Sequence, residues 1–147
     1  MTTRRHFLKT ACGFCAAVAG GGVLATLLDG CSSIPVVKAS PSNNNLSVPV
    51  SAFKEGVPYI TVRRPNLEPD ILLVKKKDGT YNALLMVCTH EEQPLSVGGN
   101  TINCAAHGST FDLDGNVTHA PAAKALTRFA ATVEGETILI HLNQKLQ

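Results

Sequence analysis

The chain has 147 residues, a formal net charge of +2 and 44% hydrophobic residues. This length allows one domain with a modest core, plus a tail. The positive charge comes from the N-terminal segment, since residues 31–147 carry ten basic and ten acidic side chains. A neutral domain without a basic stripe argues against nucleic-acid binding. Two of the five cysteines, Cys88 and Cys104, lie beyond residue 31, which excludes a disulfide-rich scaffold.

The N-terminal segment, residues 1–30, has the pattern of an export signal. Arg4 and Arg5 precede Phe7-Leu8-Lys9, and an apolar, glycine-rich run follows over residues 11–28. A basic start before an apolar stretch is typical of secretory signals. Paired arginines indicate the twin-arginine route, whose motif this string resembles. We therefore expect export to the periplasm or to the outer face of the membrane.

A membrane anchor is predicted at the end of this segment. Residues 27–33, Leu-Leu-Asp-Gly-Cys-Ser-Ser, resemble a bacterial lipobox with Cys31 as the acylated residue, although Asp29 replaces the small neutral residue usual there. In the alternative, residues 11–28 remain as a membrane span, but a run of this length is near the lower limit for crossing a bilayer. We favour the lipid anchor at Cys31.

The remainder divides into a linker and a β-domain. Residues 31–45 are rich in Ser, Asn and Pro and are predicted to be a flexible linker. From residue 46 to residue 147, short apolar runs alternate with turn residues, which predicts an all-β domain. Hairpins are expected at Asp78-Gly79 and around Gly135. Residues 75–77, three lysines, are interpreted as a solvated edge that discourages aggregation, with a docking role as the less favoured alternative.

Two short Cys/His pairs are the most informative part of the sequence. Cys88-Thr89-His90 and Cys104-Ala105-Ala106-His107 are separated by thirteen residues. Two thiols and two imidazoles form a soft ligand set that suits zinc or an iron–sulfur centre. Structural zinc sites usually pair Cys with Cys and His with His, whereas each loop here supplies one of each. This distribution favours a two-iron cluster with two thiolates on one iron and two imidazoles on the other. The alternatives are a structural zinc site and two unrelated Cys/His pairs.

The residues that follow extend the pattern into a family resemblance. In order along the chain they are Gly108-Ser109, Phe111-Asp112, Gly115, Ala120-Pro121-Ala122, Leu126, Phe129, Gly135 and Ile138. Together with the two loops, this order resembles the Rieske [2Fe–2S] family over roughly residues 46–142. The resemblance implies stacked antiparallel sheets with a two-loop cluster-binding lobe, and one [2Fe–2S] cluster per chain.

The resemblance also implies roles for individual residues. Cys88 and Cys104 would coordinate one iron, and His90 and His107 would coordinate the other at the exposed tip of the lobe. Ser109 would donate a hydroxyl hydrogen bond to a bridging sulfide, which stabilises the reduced cluster.

Three further positions flank these residues. Gly108 would permit the tight turn after His107. Pro121 stands where the family has a proline loop that shields the cluster from water. His119 could lie near that loop, but we expect it to be an exposed polar residue rather than a ligand.

The sequence departs from the high-potential members of the family in three ways that affect the redox potential expected for the cluster. Those members join the two loops by a disulfide, at positions occupied here by Ala106 and by Gln93 or its neighbour Glu92. They also place a tyrosine two residues after the serine, where Phe111 cannot donate a hydrogen bond. Glu91 and Glu92 add negative charge, which disfavours reduction. We expect an intermediate potential within the family's span of roughly −150 to +300 mV, below that of the quinol-oxidising subunits.

The export signal and the expected [2Fe–2S] cluster together predict an exported, membrane-anchored carrier of single electrons with no catalytic residues of its own. Its partners would be other redox proteins. One alternative is the iron–sulfur subunit of a quinol-oxidising complex or of a periplasmic molybdenum oxidase. Another is a ferredoxin or N-terminal domain of an aromatic-ring oxygenase, which the export signal disfavours because those proteins work in the cytoplasm.

Overall fold

The computed structural model describes residues 34–42, 44–64 and 67–146. Apart from a short 3-10 helix at Val50–Ala52, its regular structure is β-strand, which confirms the predicted all-β fold. The strands among these residues are β1 (Val36–Lys38), β2 (Ser40–Ser42), β3 (Asn45–Pro49), β4 (Tyr59–Arg64), β5 (Leu67–Lys75), β6 (Tyr81–Leu85), β7 (Ser96–Gly98), β8 (Thr101–Asn103), β9 (Thr110–Phe111), β10 (Val117–His119), β11 (Arg128–Glu134) and β12 (Thr137–Leu146).

The strands of the described ranges form two sheets. The large sheet has eight strands in the order β1-β4-β5-β6-β11-β12-β3-β2, and the small sheet has four in the order β10-β9-β8-β7. Strands β1 and β4 run parallel, while β4–β5, β5–β6 and β11–β12 are antiparallel neighbours. The hairpins predicted at Asp78-Gly79 and around Gly135 connect β5 to β6 and β11 to β12.

Strand β5 is buried on both faces and belongs to two cores. Residues 71–74 are all buried, and alternate residues of this run belong to different cores. Successive side chains of a strand point to opposite faces, so a continuous apolar run fits burial on both sides. The first core lies against one face of the large sheet. The second core contains Cys88 and Cys104, so β5 connects the large sheet to the candidate site.

The small sheet forms a lobe that carries the two Cys/His segments. The first loop, residues 88–94, leads from β6 towards β7, and the second loop, residues 104–109, joins β8 to β9. Ile102 on β8 and Phe111 on β9 are fully buried in the second core. Their burial fixes the ends of the second loop against the large sheet.

The segment predicted as a flexible linker differs from that expectation. Strands β1 and β2 lie within residues 31–45 and form the two edges of the large sheet. Ala39 between them is 3% exposed in the first core, so the compact unit includes residues before residue 46. The β-branched Val36 and Val37 suit a strand, and Pro41 is compatible with an edge position.

The predicted signal over residues 1–30, the acylation site Cys31 and the possible span over residues 11–28 lie outside the described residues. The described chain starts at Ile34, which packs against the second core, and the Pro35 carbonyl accepts a hydrogen bond from the Thr61 N–H at 2.9 Å. None of the helical segments in the described ranges has the length and hydropathy needed to cross a membrane.

The lysine run at residues 75–77 leads into the β5–β6 hairpin. Lys75 and Lys77 are exposed, as expected for a solvated edge. The Lys76 ammonium lies 2.9 Å from the Asp114 carboxylate, which also accepts a hydrogen bond from the Asn82 amide at 2.7 Å. The hydrogen bond from Lys76 holds the pKa of Asp114 below its ordinary value. Lys76 therefore ties the hairpin to the turn that follows β9.

Candidate metal centre

The first loop is closed by backbone hydrogen bonds at its cysteine. The Cys88 N–H donates to the Gln93 carbonyl at 2.8 Å, and the Glu92 N–H donates to the Cys88 carbonyl at 2.9 Å. Glu92 has a φ of 52°, a left-handed conformation that reverses the chain. These bonds make residues 88–94 a compact turn with His90 near its apex.

The second loop is closed in the same way. The Cys104 N–H donates to the Ser109 carbonyl at 2.9 Å, and the Gly108 N–H donates to the Cys104 carbonyl at 3.1 Å. Gly108 has a φ of +80°, a conformation that glycine adopts without steric cost. The role predicted for Gly108 in the turn after His107 agrees with this geometry.

The two loops bring the four predicted Cys/His residues together, with the thiols inside and the imidazoles outside. Cys88 and Cys104 are 1% and 3% exposed and belong to the same core. His90 and His107 are exposed, and their ring centroids are 5.1 Å apart with the rings perpendicular. Both cysteines are free thiols. The site therefore offers two buried sulfur donors and two surface nitrogen donors.

This arrangement distinguishes between one metal ion and two. Among the described residues, His90, Glu91 and His107 form the group of three or more candidate ligands whose donor atoms all lie within 4.8 Å of one another, and this group includes neither thiol. A zinc ion with four protein ligands needs all of them within about 2.0–2.3 Å of one point. The residues therefore fit a binuclear group, with thiols on one side and imidazoles on the other, better than a single Cys₂His₂ zinc ion.

The surroundings of Cys88 favour its thiolate form. Burial raises the pKa of the Cys88 thiol, but hydrogen bonds from the His90 backbone, the Cys104 side chain, the Glu91 backbone and the Ser109 side chain lower it. The net pKa lies below the ordinary value for a cysteine. The thiolate is the form of cysteine that binds metal, so the loop favours the form of Cys88 that can act as a ligand.

Ser109 is fully buried beside these thiols. Its hydroxyl oxygen accepts a hydrogen bond from the Ala122 N–H at 2.9 Å, and its own hydrogen can donate to the Cys88 sulfur. Ala122 belongs to a third loop, residues 120–126, which begins at the cis peptide Ala120–Pro121. Pro121 itself is exposed, whereas Ala122 is 5% exposed in the second core.

The residues that are expected to affect the redox potential also lie around the two loops. A carboxylate oxygen of Glu91 is 3.6 Å from His107 Nδ1, which is beyond hydrogen-bonding distance but places negative charge beside the site. Phe111 is fully buried in the core that holds both cysteines. Ala106 and Gln93, where the disulfide of other members would attach, are exposed.

One contact at the site was not predicted from the sequence. The Thr89 hydroxyl, between Cys88 and His90 in the chain, donates a hydrogen bond to the Lys124 carbonyl at 2.6 Å. The two residues are 35 positions apart, so no local pattern indicates their contact. The only signal in the sequence is a hydroxyl residue placed between two candidate ligands.

The family follows from a comparison with known proteins. The model of the Rieske [2Fe–2S] domain matches residues 46–130, more than half of the chain. The chain therefore belongs to the Rieske [2Fe–2S] family. The cofactor predicted from the sequence, a [2Fe–2S] cluster, is confirmed by this match.

The chain is similar to parts of several relatives. A cytochrome b6-f complex iron-sulfur subunit from Synechococcus sp. (strain JA-2-3B'a(2-13)) is 32% identical over 73 residues, which are 48% of this chain and 42% of the subunit. The oxygenase component of dicamba O-demethylase from Stenotrophomonas maltophilia is 33% identical over 75 residues, 49% of this chain and 22% of the component. The chain thus spans less than half the length of these curated relatives.

A solved structure shows the same fold. It is a chain in the complex of reduced oxygenase and oxidized ferredoxin in carbazole 1,9a-dioxygenase. The alignment covers 72% of this chain and 100% of that chain, with a TM-score of 0.55 and 22% identity. The predicted Rieske-like architecture is therefore confirmed.

Proposed function

We propose that Cys88 and Cys104 coordinate one iron of the [2Fe–2S] cluster and that His90 and His107 coordinate the other. The observation that carries this assignment is the separation of the donors into a buried thiol pair and an exposed imidazole pair. In the described part of the chain, the group of three or more donors within 4.8 Å of one another contains both imidazoles and neither thiol, which favours two metal ions over one. When bound, the cluster supplies reversible one-electron transfer.

The protein residues around the site have distinct roles in this assignment. The Ser109 oxygen accepts a hydrogen bond from the Ala122 N–H, and its hydrogen, which faces the Cys88 sulfur in the protein alone, would donate to a bridging sulfide of the bound cluster. The imidazoles lie at the surface, where a partner can approach them closely. The carboxylate of Glu91, beside His107, opposes the addition of an electron.

We propose further that the chain is an exported, membrane-anchored carrier of single electrons, with an intermediate potential and no catalysis of its own. The twin-arginine motif at Arg4 and Arg5 and the lipobox-like Cys31 support export and anchoring. Phe111 in place of a tyrosine and the lack of cysteine at Ala106 support a potential below that of the quinol-oxidising subunits. Its donor and acceptor would be redox proteins that reach the exposed histidines.

A second candidate function is that of an iron–sulfur subunit within a larger oxidoreductase, either quinol–cytochrome c reductase-like or molybdenum oxidase-like. The similarity to the cytochrome b6-f subunit favours this candidate. The similarity to an oxygenase component covers 22% of that relative and supports a shared domain rather than a shared reaction.

An EPR spectrum of the dithionite-reduced protein, followed by a redox titration of the same sample, tests these proposals. We expect a rhombic signal with a low average g value and a midpoint inside the family's span of roughly −150 to +300 mV. A silent spectrum with one equivalent of zinc would contradict the ligand assignment. A midpoint at the upper end of the span, with a copurifying large subunit, would favour the second candidate.

Replacement of Ser109 by alanine should lower the midpoint potential by about 60–130 mV, the equivalent of one hydrogen bond to a charged group. The change also leaves the buried Ala122 N–H without its partner, which should destabilise the fold by about 1–3 kcal/mol. Redox titration and thermal unfolding measure the two effects separately. Ser96→Ala, at an exposed serine of the same lobe, is the control and should change neither. An unchanged potential in Ser109→Ala would refute the hydrogen bond to the cluster.

A further inference from the structure

The third loop contacts both cluster loops through hydrogen bonds. The Thr89 hydroxyl of the first loop donates to the Lys124 carbonyl at 2.6 Å. The Ala122 N–H donates to the Ser109 hydroxyl at the end of the second loop at 2.9 Å. Each cluster loop is therefore bonded to the same short segment, in addition to the direct contact between the Cys88 and Cys104 side chains.

The third loop is itself firmly held. Ala122 and Leu126 are 5% and 2% exposed and pack in the core that contains both cysteines. The Leu126 N–H donates to the Gly115 carbonyl at 2.8 Å, which fastens the end of the loop to the turn after β9. Because the third loop is anchored at both its start and its end, it can restrain the two cluster loops that are hydrogen-bonded to it.

A restraint of this kind is needed here because the cluster loops share no covalent link in the described part of the chain. Cys88 and Cys104 are its free thiols, and the exposed Gln93 and Ala106 cannot form a disulfide. Loop separation would expose the buried thiols to water. Hydrogen bonds to a common segment oppose this separation without a disulfide.

We propose that Thr89 is a positioning residue, and that its hydroxyl holds the first loop against the third loop, so that the two cluster loops stay together and retain the cluster. This role rests on the proposed ligand assignment for its effect on the cluster, but the hydrogen bond is a property of the protein alone. Thr89 acts through the Lys124 carbonyl and has no contact with the iron in this role.

Three variants of the full chain test the proposal. Thr89→Val keeps the shape of the side chain and removes its hydroxyl, while Thr89→Ser keeps the hydroxyl. Thr132→Val is the matched control, because it removes a threonine hydroxyl bonded to His141 at 2.9 Å on the large sheet. The rate at which an iron chelator bleaches the visible absorbance should rise about fivefold to tenfold in Thr89→Val. It should stay near the wild-type rate in the other two variants.

Hydrogen–deuterium exchange of the third loop, measured by mass spectrometry on the protein as purified, gives a second readout that does not depend on the cluster. Exchange should be about fivefold faster in Thr89→Val and unchanged in Thr89→Ser. Equal behaviour of Thr89→Val and wild type in both measurements would overturn the proposal, as would equal acceleration in Thr132→Val. A wild-type protein without the mixed-ligand EPR signal would refute the proposed function instead, and the exchange comparison would still decide the role of Thr89.

Discussion

Replacement of His107 by cysteine should lower the midpoint potential by roughly 100–350 mV, because clusters with four thiolates lie near −400 mV and mixed Cys/His clusters lie well above them. A thiolate carries a negative charge that a neutral imidazole lacks, so the added electron is less stable. The surface position of His107 means that the change leaves the core intact. Redox titration with EPR detection measures the shift.

The control for this experiment is His119→Cys, which places a cysteine at an exposed histidine of β10 in the same lobe. It should leave both the potential and the spectrum unchanged. His90→Cys should shift the potential in the same direction as His107→Cys, since both histidines are assigned to one iron. If His107→Cys kept the wild-type potential and spectrum, His107 would not be a ligand.

Replacement of Gly115 by alanine should destabilise the fold by about 2–5 kcal/mol, the sum of left-handed backbone strain and overpacking. Gly115 has a φ of +84°, and a Cβ atom there would lie 3.0 Å from Leu84 Cδ2 and 3.4 Å from Leu126 Cβ. Leu84 is fully buried, so its side chain has little room to move away from the new methyl group. Denaturant unfolding measures the change in free energy.

A matched variant separates the two causes. Gly135→Ala, in the β11–β12 hairpin, introduces a side chain at a φ of +60° with nothing within 4 Å of its Cβ. Gly135→Ala should lower the free energy of unfolding only through the strained backbone, by about 1–2 kcal/mol. Equal losses in Gly115→Ala and Gly135→Ala would show that the contact with Leu84 contributes nothing.

The residues of the candidate site were easier to predict from the sequence than their burial and their hydrogen bonds. Cys88, His90, Cys104 and His107 were recognisable because each pair lies within one short loop, where spacing alone limits geometry. The burial of the thiols and the exposure of the imidazoles depend on the core beneath the loops. The bonds of Thr89 and Ser109 to the third loop join residues 35 and 13 positions apart, which spacing cannot reveal.

In the fold, too, features set by local sequence were predictable and features set by distant partners were not. The β5–β6 and β11–β12 hairpins were predictable because turn residues separate apolar runs. Strands β1 and β2 were missed because Ser, Asn and Pro dominate their surroundings, and the pairing of β1 is decided by β4, a partner that is distant in the sequence. Edge strands of this kind gain their order from the sheet they join, not from their own composition.

The burial of β5 on both faces has a consequence for electron exchange. Opening the lobe alone would expose one face of β5 while the other face stayed packed in the first core, so we infer that the lobe and the large sheet unfold in one cooperative transition. The loops are thus mounted on a strand that is packed in two cores. In the electron transfer proposed for this chain, we therefore expect the loop atoms to shift little when the charge at the tip changes, which would keep the reorganisation energy small.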